Sequence, residues 1–206
     1  GCALGHTLSC NDLGVSQARS ADPETVKKGF TLLTRACDSG LAAACYNVAG
    51  YYASGRGVPQ DMERARTLYD DACSWNYAAA CRWLASYLTD GEFTAADLPL
   101  AAGYWQKACD RGDSTSCHHL GNVYYNGRGA EVDKPRALRA YRRACSLDHG
   151  SSCWNAGYMI TLGKGVPKDR AQGFELLKAG CALGDPKACT FTGRGLLSRK
   201  NPEAAA

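Results

Sequence analysis

The sequence predicts an all-α protein, a right-handed solenoid of α/α helix pairs, and three observations predict it. Twelve cysteines form six C-x7-C pairs, and from Cys37 onward the first member of each pair recurs every 36 residues. Small and aromatic residues recur in the same register, and loops of the type Gly-x-Gly separate the helical segments. A fixed period of roughly 20–50 residues is typical of a solenoid built from one repeated supersecondary unit.

The repeat at residues 45–80 shows the elements in order. Its first segment has apolar residues at helical spacing and ends at Gly55, a residue type that terminates helices. In the loop that follows, Pro59 fixes the backbone and Asp61 is suited to cap a second helix, which continues to about residue 76. We call the first segment helix A and the second helix B. A short turn, Tyr77-Ala78, separates helix B from the segment that holds the next helix A cysteine, Cys81.

The same division applied to the whole chain predicts a single repeat domain over residues 1–206. Five full repeats span 10–44, 45–80, 81–116, 117–152 and 153–188, with partial repeats at 1–9 and 189–206. Residues 1–5 repeat the motif GCALG of residues 180–184, so residue 1 is expected near the end of a helix B. Two repeats depart from the pattern, because residues 20–25 (SADPET) and 90–100 (DGEFTAADLPL) replace the glycine loop. Those loops are expected to differ in shape.

Three sets of positions predict the packing within and between repeats. Small residues four positions after each helix A cysteine allow close approach of two helices, and small residues at plus twenty supply the matching surface on helix B. Large residues at plus twenty-four fill the space between repeats. The first set is Gly14, Ala49, Ala85, Gly121, Gly157 and Gly193; the second is Ala65, Ala101, Ala137 and Gly173; the third is Tyr69, Trp105, Tyr141 and Leu177.

The cysteine spacing predicts six disulfides between sequence neighbours. Cα atoms at the end of one helix and the start of the next come within the roughly 4.4–6.8 Å that a disulfide needs. A zinc site would need four converging ligands, usually with C-x2-C knuckles, and the sequence has none. The predicted pairs are Cys2–Cys10, Cys37–Cys45, Cys73–Cys81, Cys109–Cys117, Cys145–Cys153 and Cys181–Cys189. Disulfides place the chain in an oxidising compartment, the periplasm or outside the cell, with the mitochondrial intermembrane space as an alternative.

The repeat resembles the Sel-one-like repeat family, a relative of the tetratricopeptide repeat. The residues that carry the resemblance are LGNVYYNGRG at 120–129, SGRGVPQDMERA at 54–65 and LGKGVPKDRA at 162–171. The disulfide-bearing form looks most like the Helicobacter cysteine-rich proteins. That resemblance implies an interaction scaffold, and it raises penicillin binding or weak β-lactamase activity as an alternative.

Motifs for catalysis, metals and nucleic acid are missing from the sequence. It contains no S-x-x-K, Ser-Asp-Asn or Lys-Thr-Gly, so the serine β-lactamase signature is absent. The adjacent His118 and His119 would point about 100° apart on a helix and are poorly placed to share a metal. Net charge is only +4, and the densest basic group, Arg136, Arg139, Arg142 and Arg143, is interpreted as a solvated helix face, with an anionic contact as the alternative. We therefore expect a non-enzymatic protein without cofactor or metal.

A binding surface is predicted on the concave side of the solenoid, which helix A lines. In tetratricopeptide relatives the exposed positions correspond here to plus one and plus five from the helix A cysteine. These positions vary between repeats and are rich in aromatic, Arg, His and Asn side chains, as recognition surfaces are. The predicted binding residues are Tyr46, Arg82, Ser86, His118, Asn122, Tyr125, Asn126, Trp154 and Tyr158.

Taken together, the sequence predicts a secreted or periplasmic scaffold, monomeric, that holds a peptide or protein segment along this surface. No nucleic-acid motif is present, and no apolar run approaches the length of a membrane span. The alternative for Trp154 and Tyr158 is that both rings simply pack against neighbouring repeats.

Overall fold

The computed structural model describes residues 7–90 and 97–200, the side chains of 194–200 excepted. Within this part of the chain the protein is all-helical, with eleven helices and no strand. They are α1 (Thr7–Ala18), α2 (Pro23–Asp38), α3 (Ala42–Ser54), α4 (Met62–Ser74), α5 (Ala78–Tyr87), α6 (Asp97–Asp110), α7 (Ser114–Asn126), α8 (Lys134–Ser146), α9 (Gly150–Leu162), α10 (Arg170–Ala182) and α11 (Pro186–Lys200). Odd-numbered helices are helix A and even-numbered helices are helix B, as the cysteine register predicts.

The helices form two compact units, Gly1–Tyr87 and Leu88–Ala206. In the first unit α1 to α5 pack in sequence, each against the next. In the second unit α6 to α11 do the same. The third predicted repeat, 81–116, has its helix A in the first unit and its helix B in the second. One repeat domain over residues 1–206 stays a prediction.

Local signals in the sequence determine where the helices begin and end. Asp61, Asp133 and Asp169 each cap a helix B by accepting a hydrogen bond from the backbone amide three residues on. The C-caps Gly55, Gly127 and Gly163 adopt left-handed backbone angles, with φ between 67° and 74°. The first-repeat loop differs, as expected, because α2 begins at Pro23 behind the cap Asp22. The other divergent loop lies largely outside the described residues.

The repeated small residues bring helix A against helix B. Gly121 faces the ring of Tyr141, and a Cβ atom added at Gly121 would lie 2.5 Å from that ring. In the first repeat Gly29 takes the place of the plus-twenty residue, and an added Cβ there would lie 2.9 Å from the carbonyl oxygen of Gly14. The predicted fillers are buried as expected, with exposures of 3% for Tyr69, Trp105 and Tyr141 and 0% for Leu177.

Disulfides staple each helix B to the following helix A. The predicted pairs Cys37–Cys45, Cys73–Cys81, Cys109–Cys117, Cys145–Cys153 and Cys181–Cys189 are present, with Cα–Cα distances of 4.4–4.7 Å. Cys10 is also disulfide-bonded. Its predicted partner Cys2 lies outside the described residues. No free cysteine occurs among the residues described.

Candidate functional site

The candidate site is the face of each helix A that carries the plus-one and plus-five positions, which we call the helix A face. Its side chains flank the small residues that pack on helix B, because plus one and plus five lie about 60° and about 100° around the helix from plus four. All nine predicted binding residues are partly solvent-accessible: eight are half-buried, and Asn126 is exposed. Each unit carries its own portion of this face.

In the first unit the helix A face is a row of aromatic rings. Tyr46 on α3 contacts Tyr69 and Tyr77, with ring centroids 5.4 and 5.2 Å apart. Tyr69 stacks on Trp83 of α5 at 3.8 Å, and Trp83 stacks on Tyr87 at 5.1 Å. Tyr46 therefore belongs to a packed aromatic row. Trp83, one residue after the predicted Arg82, contributes more to this row than the sequence pattern indicated.

In the second unit His118 belongs to a cluster between α7 and α9. Its ring stacks on His149 with centroids 4.6 Å apart, and its Nδ1 lies 2.8 Å from the hydroxyl of Ser152. The same hydroxyl lies 3.0 Å from Nδ1 of His149. Burial, followed by the nearby His149 and His119, lowers the pKa of His118 to about 4. His118 is therefore neutral at ordinary pH and bridges two successive repeats.

Two further predicted residues on α7 have their orientation set by helix B of the same repeat. The hydroxyl of the buried Tyr141 donates a hydrogen bond of 2.6 Å to Oδ1 of Asn122, and burial raises the pKa of that tyrosine. The amide group of Asn122 is thereby oriented, since its oxygen accepts and its Nδ2 is the remaining donor. Lys134 lies 3.3 Å from the ring centre of Tyr125 and donates to its backbone carbonyl.

A cavity of about 560 Å³ opens on this face of the second unit. Helices α6 and α7 form its walls, and Trp105, at the base, stacks on His119 with centroids 4.3 Å apart. Asn122 and Asn126 line it, and so does Arg128 in the loop after α7. Thr89, Asp90, Leu98, Ala101, Ala102 and Val123 complete the lining. Polar and apolar side chains both line the cavity, and the polar ones supply hydrogen-bond donors and acceptors that could orient a ligand.

The last two predicted aromatic residues pack against each other and against α11. The rings of Trp154 and Tyr158 lie 5.2 Å apart, and Trp154 also contacts Phe191 at 5.7 Å. Trp154 and Phe191 line a shallower cavity of about 350 Å³. Trp154 therefore packs against α11 of the next repeat, as the alternative interpretation of the sequence proposed. It also lines the shallower cavity.

The cavity therefore gathers only part of the predicted set. Asn122 and Asn126 line it, whereas Tyr46, Arg82 and Ser86 belong to the first unit, and His118, Tyr125, Trp154 and Tyr158 lie elsewhere on the second. His119 and Trp105 were not among the predicted binding residues. Trp105 was predicted to fill the space between repeats, and it is buried there. It also lines the cavity, which its position in the repeat does not predict.

One serine in the second unit lies between two histidines. Ser152 contacts two histidines, as a nucleophile would, yet its exposure is 0%, so no substrate reaches its hydroxyl. Within residues 7–90 and 97–200, no cluster of histidine, cysteine and carboxylate side chains is arranged to hold a metal ion. In the same residues, no helix combines the length and apolar character that crossing a membrane requires.

Comparison with known proteins identifies the repeat. The Sel1 repeat model matches residues 42–74, 78–113, 114–149 and 150–185. A Sel1 repeat protein from Oxalobacter formigenes is 23% identical, with a TM-score of 0.74 over 90% of this chain and 76% of that one. A protective antigen of uropathogenic Escherichia coli with an SLR fold is 18% identical, with a TM-score of 0.81 over 93% of this chain and 41% of that one. Both likenesses show the fold.

The cysteine-bearing form of the repeat also has a structural counterpart. Cysteine-rich protein B of Helicobacter pylori is 29% identical, with a TM-score of 0.50, over 64% of this chain and 95% of that one. No curated protein shows significant sequence similarity to this chain. The resemblance drawn from the cysteine register is confirmed by these matches.

Proposed function

Because the chain belongs to the Sel1 repeat family, whose members are typically non-enzymatic protein-interaction scaffolds, we propose that its helix A faces hold a segment of a partner protein. In the second unit the segment lies across the cavity beside α7. The first unit contributes its aromatic row with Arg82 and Ser86. The protein acts by binding and positioning its partner.

The observation that carries this proposal is the cavity of about 560 Å³ lined by Asn122, Asn126 and Arg128 above Trp105. Because Oδ1 of Asn122 accepts from Tyr141, Nδ2 remains as a donor, which suits a peptide carbonyl. The exposed amide of Asn126 offers both a donor and an acceptor one helical turn further on. Paired amides on an apolar base suit an extended backbone more than a compact, highly charged ligand.

The variation between repeats supports the same assignment. The plus-four position is Gly or Ala in every repeat, as packing requires, whereas the plus-five position is Gly50, Ser86, Asn122 or Tyr158. The fold therefore tolerates different side chains at plus five. At position 122 the amide oxygen accepts the hydrogen bond of the buried Tyr141 hydroxyl, and its remaining donor is available to a ligand.

The disulfides support an oxidising compartment. We place the protein in the periplasm or outside the cell, as a monomeric scaffold. Nothing in the described residues favours the hydrolase alternative, because the serine that contacts histidine is fully buried.

The test is selection of binding peptides from a random peptide library displayed on phage, using the immobilised protein. The affinity of the best peptide is then measured by fluorescence anisotropy for the wild type and for Asn122→Ala and Asn126→Ala. Loss of a central anchor weakens such complexes by about tenfold or more. Glu175→Ala, at an exposed position of α10, is the matched control and should bind normally.

Two outcomes would contradict the proposal. The first is a selected peptide whose affinity is unchanged by both asparagine variants, which would place binding on another surface. The second is steady turnover of the chromogenic cephalosporin nitrocefin by the purified wild type, which would favour the hydrolase alternative. Circular dichroism of each variant shows whether the fold is intact.

A further inference from the structure

A second cavity, of about 360 Å³, lies on the helix B side of the second unit. Helices α6, α7 and α8 enclose it, with Leu120 and Tyr124 at the base. Three of its nine lining residues are arginines of α8: Arg136, Arg139 and Arg143. It is separate from the cavity of the proposed peptide site, because the two share no lining residue.

The three arginines form a row along one side of α8. Their spacing of three and four residues places them on the same helix face, over about 10 Å of helix length at 1.5 Å per residue. Arg136 and Arg143 have acidic partners. The Nε atom of Arg136 lies 3.2 Å from a carboxylate oxygen of Asp133, and Nη1 of Arg143 lies 3.6 Å from one of Asp110. Among the described residues, Arg139 between them has no such partner.

The repeat fold does not require this row. The positions equivalent to Arg139 in the second and fifth repeats hold Thr67 and Glu175, and those equivalent to Arg143 hold Asp71 and Ala179. Those repeats form the same helix pair. Arg139 is therefore specific to this repeat, whereas the position of Arg143 also holds a basic residue in the first and third repeats, Arg35 and Lys107.

The charges on α8 are also unfavourable as they stand. Arg139 and Arg143 are like charges four residues apart, an arrangement that destabilises a helix. An anion bound between the guanidinium groups would relieve this repulsion.

We propose that this cavity binds a carboxylate side chain, Asp or Glu, from an acidic segment of a partner protein. Three guanidinium groups face one lining carboxylate, Asp110, and Asp133 partly neutralises Arg136 from outside. The remaining positive charge is small and centred on Arg139, which matches one singly charged carboxylate better than a doubly charged phosphate. The planar fork of a guanidinium also pairs with a carboxylate through two parallel hydrogen bonds.

The experiment uses the full chain with isotope-labelled arginine side chains, observed by NMR. The probe is a hexapeptide of alternating Gly and Glu, and its control is the same peptide with Gln in place of Glu. We expect the Nε–H signals of Arg136, Arg139 and Arg143 to shift with the Glu peptide alone. The signal of Arg142, on the same helix but outside the cavity, should not move.

Affinity provides the second measurement. Arg139→Ala should lower the affinity for the Glu peptide about fivefold or more, as expected for a partly exposed charge-assisted pair. Arg142→Ala removes the same charge from the same helix and should change the affinity less than about twofold. Helix content by circular dichroism confirms that both variants fold, which Thr67 at the equivalent position leads us to expect.

Three results would overturn the proposal: equal losses in the two variants, equal shifts with the Gln peptide, or displacement of the Glu peptide by an equal concentration of inorganic phosphate. Equal losses in the two variants would mean that binding depends only on net charge. Equal shifts with the Gln peptide would mean that the contact is nonspecific. The third would assign the cavity to a phosphate group. Neither asparagine of the proposed peptide site lines this cavity, so the two proposals can fail independently.

Discussion

At the scale of single residues, one backbone position accounts for the constant C-x7-C spacing. Where the structure describes it, the third residue after the helix B cysteine has positive φ: Gly40, Asn76, Gly112, Asp148 and Gly184, with values from 61° to 86°. Gly, Asn and Asp are the residue types that adopt this left-handed conformation most readily. The turn reverses the chain after helix B, and the next helix A then starts within disulfide reach. The cysteine spacing is therefore a consequence of turn geometry.

Close helix contact at Gly121 gives the first prediction. Gly121→Ala places a methyl group 2.5 Å from the ring of the buried Tyr141, so that ring or the helix that carries it must shift. Overpacking of this kind lowers the free energy of unfolding by about 1–3 kcal/mol. Chemical denaturation monitored by circular dichroism measures the change.

Gly103→Ala is the matched control for Gly121→Ala. Gly103 also lies within a helix, α6, but an added Cβ there meets no atom within 4 Å. Alanine has the higher helix propensity, so this variant should gain about 0.5–1 kcal/mol. A loss of stability in both variants would show that helix contact is not the cause.

The histidine cluster predicts a pH-dependent stability. Folding lowers the pKa of His118 from its ordinary value of 6.5 to about 4, because its ring is half-buried beside His149. The unfolded chain therefore binds more protons between these values. The contribution of His118 to the free energy of unfolding is therefore complete above its ordinary pKa, and it is lost as the pH falls toward its pKa in the folded protein. Between about pH 7 and about pH 4.5 we expect a loss of about 1–2 kcal/mol, after allowance for screening by solvent.

Chemical denaturation at several pH values measures this dependence. His118→Asn removes the titrating ring and introduces the residue found at the equivalent position of the first repeat, Asn11. The buried hydroxyl of Ser152 keeps its contact with His149. We expect a flatter profile in the variant. Identical slopes for the wild type and the variant would assign the acid sensitivity to other groups.

At the scale of the helix pair, stability comes from three local devices that act together. An aspartate caps the start of helix B, a left-handed residue reverses the chain after it, and a disulfide joins its end to the next helix A. Buried residues such as Tyr141 then fill the space between pairs. Each device lies within one repeat or between two adjacent ones, so damage to one pair should stay local.

Removal of one disulfide tests this local character. Replacing Cys109 and Cys117 with alanine opens the link between α6 and α7 and should lower stability by about 2–5 kcal/mol. Helix content at room temperature should stay near that of the wild type, because the remaining pairs keep their own contacts and disulfides. Far-UV circular dichroism and denaturation measure both quantities. Complete loss of helix would indicate one indivisible core.

The sequence predicted the packing more completely than the site. Gly121, Tyr141 and the cysteines are fixed by contacts that recur in each repeat, so their spacing alone reveals them. The cavity depends instead on residues that differ between repeats. His119 lines it because its ring stacks on Trp105 of the preceding helix B, and this contact leaves no periodic signal. Asn122 was predicted by register, but its orientation depends on the Tyr141 hydroxyl.

At the scale of the whole molecule, six C-x7-C pairs are distributed over 206 residues. A loop this short contributes about 2.5 kcal/mol per disulfide on the chain-entropy model. Even five such contributions are comparable with the total stability of a typical domain, about 5–15 kcal/mol. The cores are built largely from Ala and Gly contacts, which bury less apolar surface than larger side chains would. We therefore expect the fold to depend on oxidation of the chain as a whole.

The last prediction follows from this dependence. The chain is unfolded, fully reduced, and returned to native buffer with reductant present. We expect most of its helix to be absent at about 37 °C, since the summed loss approaches the whole stability. The control is the same chain refolded with a glutathione redox pair, which should regain full helix content. After alkylation its intact mass should show no label, because no free thiol remains. A peptide map of the refolded, non-reduced chain tests the pairing of Cys2 with Cys10. A reduced chain with native circular dichroism would show that side-chain packing alone suffices, and the disulfides would then cease to support an oxidising compartment for this protein.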